Sequence, residues 1–267
     1  VGQISRARLP GLSEDRRPVF LGGLAALWAC FEALDLQVLR VSDYAMREGL
    51  LYDSLGRFHQ QDPRELSIRA LAKRYSVDQA HALRVQTTAL KLFDQVAESW
   101  ALEDEQRETL LYATLVHEIG LAISHTQHHK HGAYIIENSD LPGFSRQEQE
   151  AVAALVRGHR RSIPEQTFSD IAPRDVEALK RTLALARLAA VLHRSRSQET
   201  LPDLHLEVAG RELRVSFPKG WLSQHPLTWA DLRQEKDFIE SIGVRLRLRV
   251  DREPGEAGAP DLLDRSL

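Results

Sequence analysis

LVHEIGLAISHTQHHKHGAYII, residues 115–136, places five histidines within fifteen positions: His117, His125, His128, His129 and His131. Apolar residues recur around them at helical spacing. Gly120 marks a break between a helix ending at His117-Glu118 and a second one over about 125–138. Imidazole and carboxylate at helix ends suit Zn, Mn, Fe or Ni. The same groups also cap backbone carbonyls, or pair with acids such as Glu118, with no metal involved. His125, His128 and His129 read as the polar face of one helix.

Outward from this stretch the chain is helical from residue 61 to about 200. Ser76 and Gln79 have capping-box spacing. The helix that follows puts Val85, Ala89, Leu92, Phe93, Val96 and Trp100 on one face, with His81 starting it. Further helices are expected at about 104–118, 146–157 and 174–195, with LPGFS (141–145) as a turn. After Pro202, LHLEVAGRELRVSFP alternates around Ala209-Gly210 as a β-hairpin does. A helix at about 228–241 and the strand VRLRLRV (244–250) complete this part, with Arg245, Arg247 and Arg249 on one strand face. The tail 253–267 is Gly/Pro-rich and acidic and reads as disordered.

Upstream, GLSEDRRPVFLGGLAALWACFEAL runs through the pair Gly22-Gly23, which would open an apolar helix. VLRVSD (38–43) then reads as a strand, and SDYAMREGLLYDSLG (42–56) as a helix capped by Ser42 or Asp43. One strand and two helices do not complete a domain, so further strands are expected upstream. QQDPRELS (60–67) reads as a linker. The fold class is mainly α with a smaller α+β part. An incomplete βα piece (1–60) precedes a helical bundle (61–200), and a small α/β domain (201–252) follows it.

Composition narrows the function classes. The chain has 267 residues with ordinary apolar and charged fractions. Cys30 is the single cysteine, so there is no intrachain disulfide, which fits a reducing compartment. No run of about 18 apolar residues is present, and the first residues lack a signal-peptide core. A cytoplasmic location is expected, with peripheral attachment to the inner membrane left open. The net charge of −3 hides an uneven spread. Residues 98–118 are acidic, whereas residues 151–200 carry nine Arg or Lys against five acids. Such a basic segment suggests an anionic partner. It lacks the interleaved aromatics of a nucleic-acid binder.

His81, then His117-Glu118, then His131 and His159 resemble the ordered ligands of the HD-domain metal phosphohydrolases. Two departures matter. The pair is His-Glu instead of His-Asp. The late helix reads LARLAAVLHRSR (185–196), so the expected final Asp falls at Ala190 and a second acid at His193. The site therefore reads as the remnant of a metal centre, its candidates being His81, His117, Glu118, His131 and His159.

A wider resemblance spans roughly residues 5–250. GLSEDRRPVFLGGLAAL, RVSDYAMREGLLYD, HEIG, HGAYIIENSDLPGFSRQEQEAVAALVRGHRR and LARLAAVLHRSR are together similar to the Ppx/GppA exopolyphosphatases. The resemblance implies the end of an actin-like lobe, an HD-like helical domain and a small C-terminal α/β domain. It also implies that the phosphate loops and catalytic glutamate lie in a catalytic module upstream. This chain would hold polyphosphate and form a homodimer, without a cofactor of its own, Mg²⁺ being expected for the whole enzyme. The cations expected to meet the polyanion are Arg157, His159, Arg160, Arg161, Lys180, Arg181, Arg187, Arg194 and Arg196, with 180, 187 and 194 near one helix face. Two alternatives stand beside this reading. One is guanosine pentaphosphate hydrolysis by the same family. The other is an autonomous metal-dependent phosphohydrolase using His81, His117, Glu118 and His159.

Overall fold

The computed structural model describes residues 12–40 and 62–250, which fall into two units divided after Asp43. Among its described residues the first unit contains one helix, α1 (Arg17–Ala33). It starts at Arg17 with Pro18 in its first turn, so Gly22 and Gly23 lie inside the helix and do not open it. Proline is preorganised for a first turn, which explains the earlier start. With Leu34 the helix forms an 18-residue stretch of mean hydropathy 1.3, long and apolar enough to cross a membrane by length and composition. The sequence reading found no such run because Arg17, the glycines and Glu32 interrupt it. Trp28 and Val19 on α1 are two-thirds exposed. Residues 36–40 have no regular structure. The rest of the expected strand, the helix at 42–56 and the tail at 253–267 lie outside the described residues.

The second unit is a helical bundle joined to a small sheet. Its first helix, α2 (Pro63–Arg74), begins inside the segment read as a linker. Asp62 accepts from the Arg64 backbone N–H at 2.8 Å and Pro63 takes the first helical position, so this is a capped helix start. The Arg64 guanidinium reaches Asp62, Glu108 and Glu148, each at 2.7 Å. It thereby ties α2 to α4 (Asp104–Val116) and α6 (Arg146–Gly158).

Between α2 and α4 runs α3 (Gln79–Trp100), whose buried stripe is the one its periodicity predicts: Val85, Ala89, Leu92, Phe93, Val96 and Trp100. Its cap is Asp78, which accepts from the His81 N–H at 3.0 Å, and not Ser76. Ser76 instead takes a left-handed backbone at φ 53°. A 3₁₀ turn (Ile119–Ala122) leads from α4 to α5 (His128–Glu137). Gly120 permits this path, since a Cβ there would lie 1.9 Å from the His128 carbonyl oxygen. At the next turn Gly143 has φ +92°, and Ser145 and Glu148 form the capping box of α6.

The central helix α7 (Val176–Leu192) is buried along most of its length. Beyond it a three-stranded sheet has the order β1 (His205–Ala209), β2 (Glu212–Phe217), β3 (Arg245–Val250). β1 and β2 form the expected hairpin, with Leu206 opposite Val215. β3 pairs parallel to β2, with Val215 opposite Leu248. Parallel pairing requires a crossover, supplied by α8 (Trp221–Gln224) and α9 (Pro226–Glu240).

Arg187 on α7 is fully enclosed. Its guanidinium donates to Glu235 on α9 at 2.8 Å, to the Arg161 carbonyl at 2.9 Å and to the Gly158 carbonyl, with the Phe238 ring 5.0 Å away. One buried cation thus joins α6, α7 and α9. Arg187→Met would leave Glu235 buried without its partner and should cost about 3–5 kcal/mol in urea unfolding. Adding Glu235→Leu should recover most of that loss. A single-variant cost below about 1 kcal/mol would refute a structural role for the pair.

Candidate functional site

Four elements bring imidazoles to one cavity of about 330 Å³. His81 stands in the first turn of α3, and His117 follows the last residue of α4. His128 begins α5, and His159 follows α6. Ring centroids are 5.7 Å apart for His81–His117, 5.4 Å for His117–His159 and 5.6 Å for His128–His159. Helix ends suit this purpose because the last carbonyls lack intrahelical partners. His117 Nδ1 donates to the Thr114 carbonyl at 2.7 Å and His159 Nδ1 to the Val156 carbonyl at 2.6 Å. Those bonds set the tautomer and leave each Nε2 as a lone pair.

Burial makes these rings neutral near pH 7. It pushes His117 down to about 4, and it lowers His159, with neighbouring His117 adding to the effect. His81 and His128 are lowered too, burial again being the main cause. Arg160 places Nη1 3.0 Å from His128 Nδ1. A guanidinium can only donate, so the imidazole nitrogen accepts.

The charges around the cavity are largely committed. Arg196 holds both oxygens of Glu118, at 2.7 and 2.6 Å, and reaches Asp78 at 3.1 Å. Arg194 is bound to Asp231 at 2.6 Å. The ligand atoms of His81, His117 and Glu118 lie within 4.8 Å of one another, with His81 Nε2 3.9 Å from Glu118. These atoms are close enough together to share a metal ion, but two features of their surroundings oppose one. Both Glu118 oxygens are occupied by a guanidinium, and Ala190 lines the cavity with a methyl where the resemblance expects an aspartate. The cation that faces Glu118 is Arg196.

Of the expected ligand residues, His81, His117, Glu118 and His159 converge. His131 is half-buried on α5 and does not line the cavity. The imidazole that α5 contributes is His128. The sequence reading assigned His128 to a polar face with His125 and His129, and so did not count it among the ligands. His128 and His129 are buried and do not form a polar surface. His193, at the second acid position, hydrogen-bonds Thr88 at 2.7 Å instead.

The expected polyanion cations scatter. Arg187 lies inside the core with Glu235, so it cannot meet a polyanion in solvent and the face 180–187–194 does not form. Seven-residue spacing drifts on a straight helix, and the desolvated guanidinium is held by buried acceptors. Lys180 stands over the Phe168 ring at 5.6 Å. Arg181 donates to the Trp100 carbonyl at 2.9 Å and to Glu177 at 3.3 Å. Arg160, Arg194 and Arg196 line the histidine cavity, whereas Arg157 and Arg161 line a neighbouring cleft.

Known proteins resemble this arrangement along almost the whole chain. Residues 64–236 match the model of Ppx/GppA phosphatase, domain III, and residues 1–58 match that of the Ppx/GppA phosphatase family. A guanosine-5'-triphosphate,3'-diphosphate pyrophosphatase of Pseudoalteromonas translucida is 38% identical over 244 residues, covering 91% of this chain and 49% of that protein. One of the same name from Aeromonas salmonicida is 35% identical over 248 residues, with 92% and 50% covered. The chain spans about half the length of these curated relatives.

The neutral histidines carry a pH signature. Burial pushes His117, His129 and His193 each down to about 4, whereas in the unfolded chain such rings protonate near pH 6.5. Between these values the unfolded chain binds more protons. Stability is therefore complete above about pH 6.5 and falls as the pH drops, by up to about 1.4 kcal/mol per pH unit for each such ring. Urea midpoints should decline from about pH 7 to about pH 5. A flat profile would mean that the rings are not buried in neutral form.

Proposed function

The chain belongs to the Ppx/GppA phosphatase family, and we propose that it is the helical half of an enzyme hydrolysing a phosphoanhydride of guanosine 5'-triphosphate 3'-diphosphate. The observation that carries this reading is the identity of 35–38% to proteins of that printed name along nine-tenths of the chain. It takes the place of long-chain polyphosphate as the favoured substrate. The distribution of cations supports the change. A polyphosphate path calls for successive free cations, because affinity for such a chain grows with each phosphate neutralised. Here Arg187 is enclosed and Arg181, Arg194 and Arg196 are bound to acids. The cavity of about 330 Å³ has the size of a small-ligand pocket.

In this reading the chain binds and positions and does not perform the hydrolysis. The catalytic module, with its Mg²⁺, belongs to the other half of the enzyme, and association into a homodimer is part of the same proposal. Arg160 is the cavity's free charge, since it is half-buried and bound to a neutral imidazole instead of an acid. Burial and the nearby Arg161 and Arg194 lower its pKa, so an arriving phosphate relieves a crowded positive field. The Nε2 atoms of His117 and His159 can accept from a protonated phosphate oxygen or a ribose hydroxyl.

The test uses the full-length protein. Phosphate release from guanosine 5'-triphosphate 3'-diphosphate should exceed that from long-chain polyphosphate by at least about tenfold in kcat/KM, a difference of about 1.4 kcal/mol. Arg160→Gln should raise KM for the nucleotide while leaving the fold intact. Preference for polyphosphate by the same margin would sink the proposal.

A further inference from the structure

The first turn of α5 sends consecutive histidines in different directions. His128 faces the cavity described above, and His129 faces a cleft on the other side. That cleft, of about 230 Å³, lies between the start of α5 and the loop after α6. We propose that it is a separate binding site for a phosphate-class anion, formed by His129, Lys130, Arg157 and Arg161, with the hydroxyls of Thr126 and Ser162 at its rim.

Several independent observations point to a small anion. No described carboxylate lines the cleft. Lys130, Arg157 and Arg161 make no ion pair with any described acid, in contrast to Arg194 and Arg196 a short way off. Three cations without a direct carboxylate partner, although Glu137 acts on Arg157 from nearby, repel one another around one small concavity, and a phosphate with its fork-like oxygens removes that repulsion. The N-terminus of the ten-residue α5 opens into the same cleft. Gln127 gives it no side-chain cap and its first turn contains no acid, so the helix dipole and orphan N–H groups add to the positive field.

His129 supplies the observation that the helix end alone does not. It is 5% exposed, and its buried Nδ1 has no partner among the described residues. A polar atom in that condition costs free energy until it is satisfied. Burial first, and then His128, Arg160, Lys130 and Arg157, push its pKa down to about 4. The neutral ring can donate from one nitrogen without adding charge to a site already rich in it. The volume selects orthophosphate, or the end of a phosphate chain, over a whole nucleoside. It lies below the roughly 300–1,000 Å³ of typical drug-sized pockets.

The test is calorimetric titration of the chain with inorganic phosphate, and in parallel with pyrophosphate and guanosine 5'-triphosphate, at low salt. Inorganic phosphate should bind, and Arg157→Gln with Arg161→Gln should weaken it by about tenfold or more. Arg69→Gln, an exposed cation on α2 that lines neither cavity and pairs with Glu65, should leave phosphate affinity within about twofold of the unaltered chain. Lys130→Gln, a change at an exposed side chain, gives a second reading if the double variant does not fold. Absence of phosphate binding, or binding that is kept in the double variant, overturns the proposal. If only guanosine 5'-triphosphate binds, the anion-site proposal fails while the nucleotide reading of the histidine cavity stands.

Discussion

The Arg187 guanidinium is the constraint around which the helical unit is arranged. A fully buried cation must be satisfied on every side, and here its partners come from three places: Glu235 on α9, and the carbonyls of Gly158 and Arg161 at the end of α6. The last two bracket His159 and Arg160. The loop that delivers an imidazole to one cavity and Arg161 to the adjoining cleft is therefore pinned from beneath by the core. Surface mobility cannot separate these groups while the buried charge is in place. The crossover helix α9 is fastened to the bundle by the same interaction, which makes the small sheet part of the support for the site.

Around that support the chain keeps the layout of a metal pocket, with a guanidinium set against its carboxylate. Three imidazoles are neutral and oriented by backbone carbonyls or by Arg160, and Glu118 faces a guanidinium with both oxygens. A divalent ion would polarise a bound phosphate and activate water. A guanidinium instead offers fixed charge and directed donors. Such a pocket is suited to recognition, with hydrolysis assigned to the other half of the enzyme in the reading proposed above.

Much of this was legible from the residues. The stripe from Val85 to Trp100 has an unbroken helical period, and burial follows it residue by residue. His81, His117, Glu118 and His159 were readable as a converging group because each adjoins a helix end marked by a cap or a glycine. Ala190 was readable as the missing carboxylate, and it does face the cavity. His128 was not, because the start of α5 depends on contact between its first turn and Gly120, a tertiary event that leaves no local signal. Arg187 was misplaced for a related reason. An arginine on an apolar helix reads as a surface cation unless its partner, here 48 residues away, is already known. The segment at Asp62-Pro63 read as a linker because proline marks a helix start as readily as a break.

The parallel pairing of β2 with β3 has a consequence for how the chain reaches this state. The β1–β2 hairpin closes through two residues and can form locally, but β3 can join only after the whole segment 218–244 has crossed over. That segment contains Glu235, whose carboxylate must lose its water as it meets Arg187. Sheet completion and charge burial are therefore coupled, because the crossover that sets β3 beside β2 also carries Glu235 to Arg187. Until it is finished, the ends of α6 and α7 lack their shared anchor. The cavity at their tips thus depends on a crossover whose sheet lies on the far side of the crossover helix.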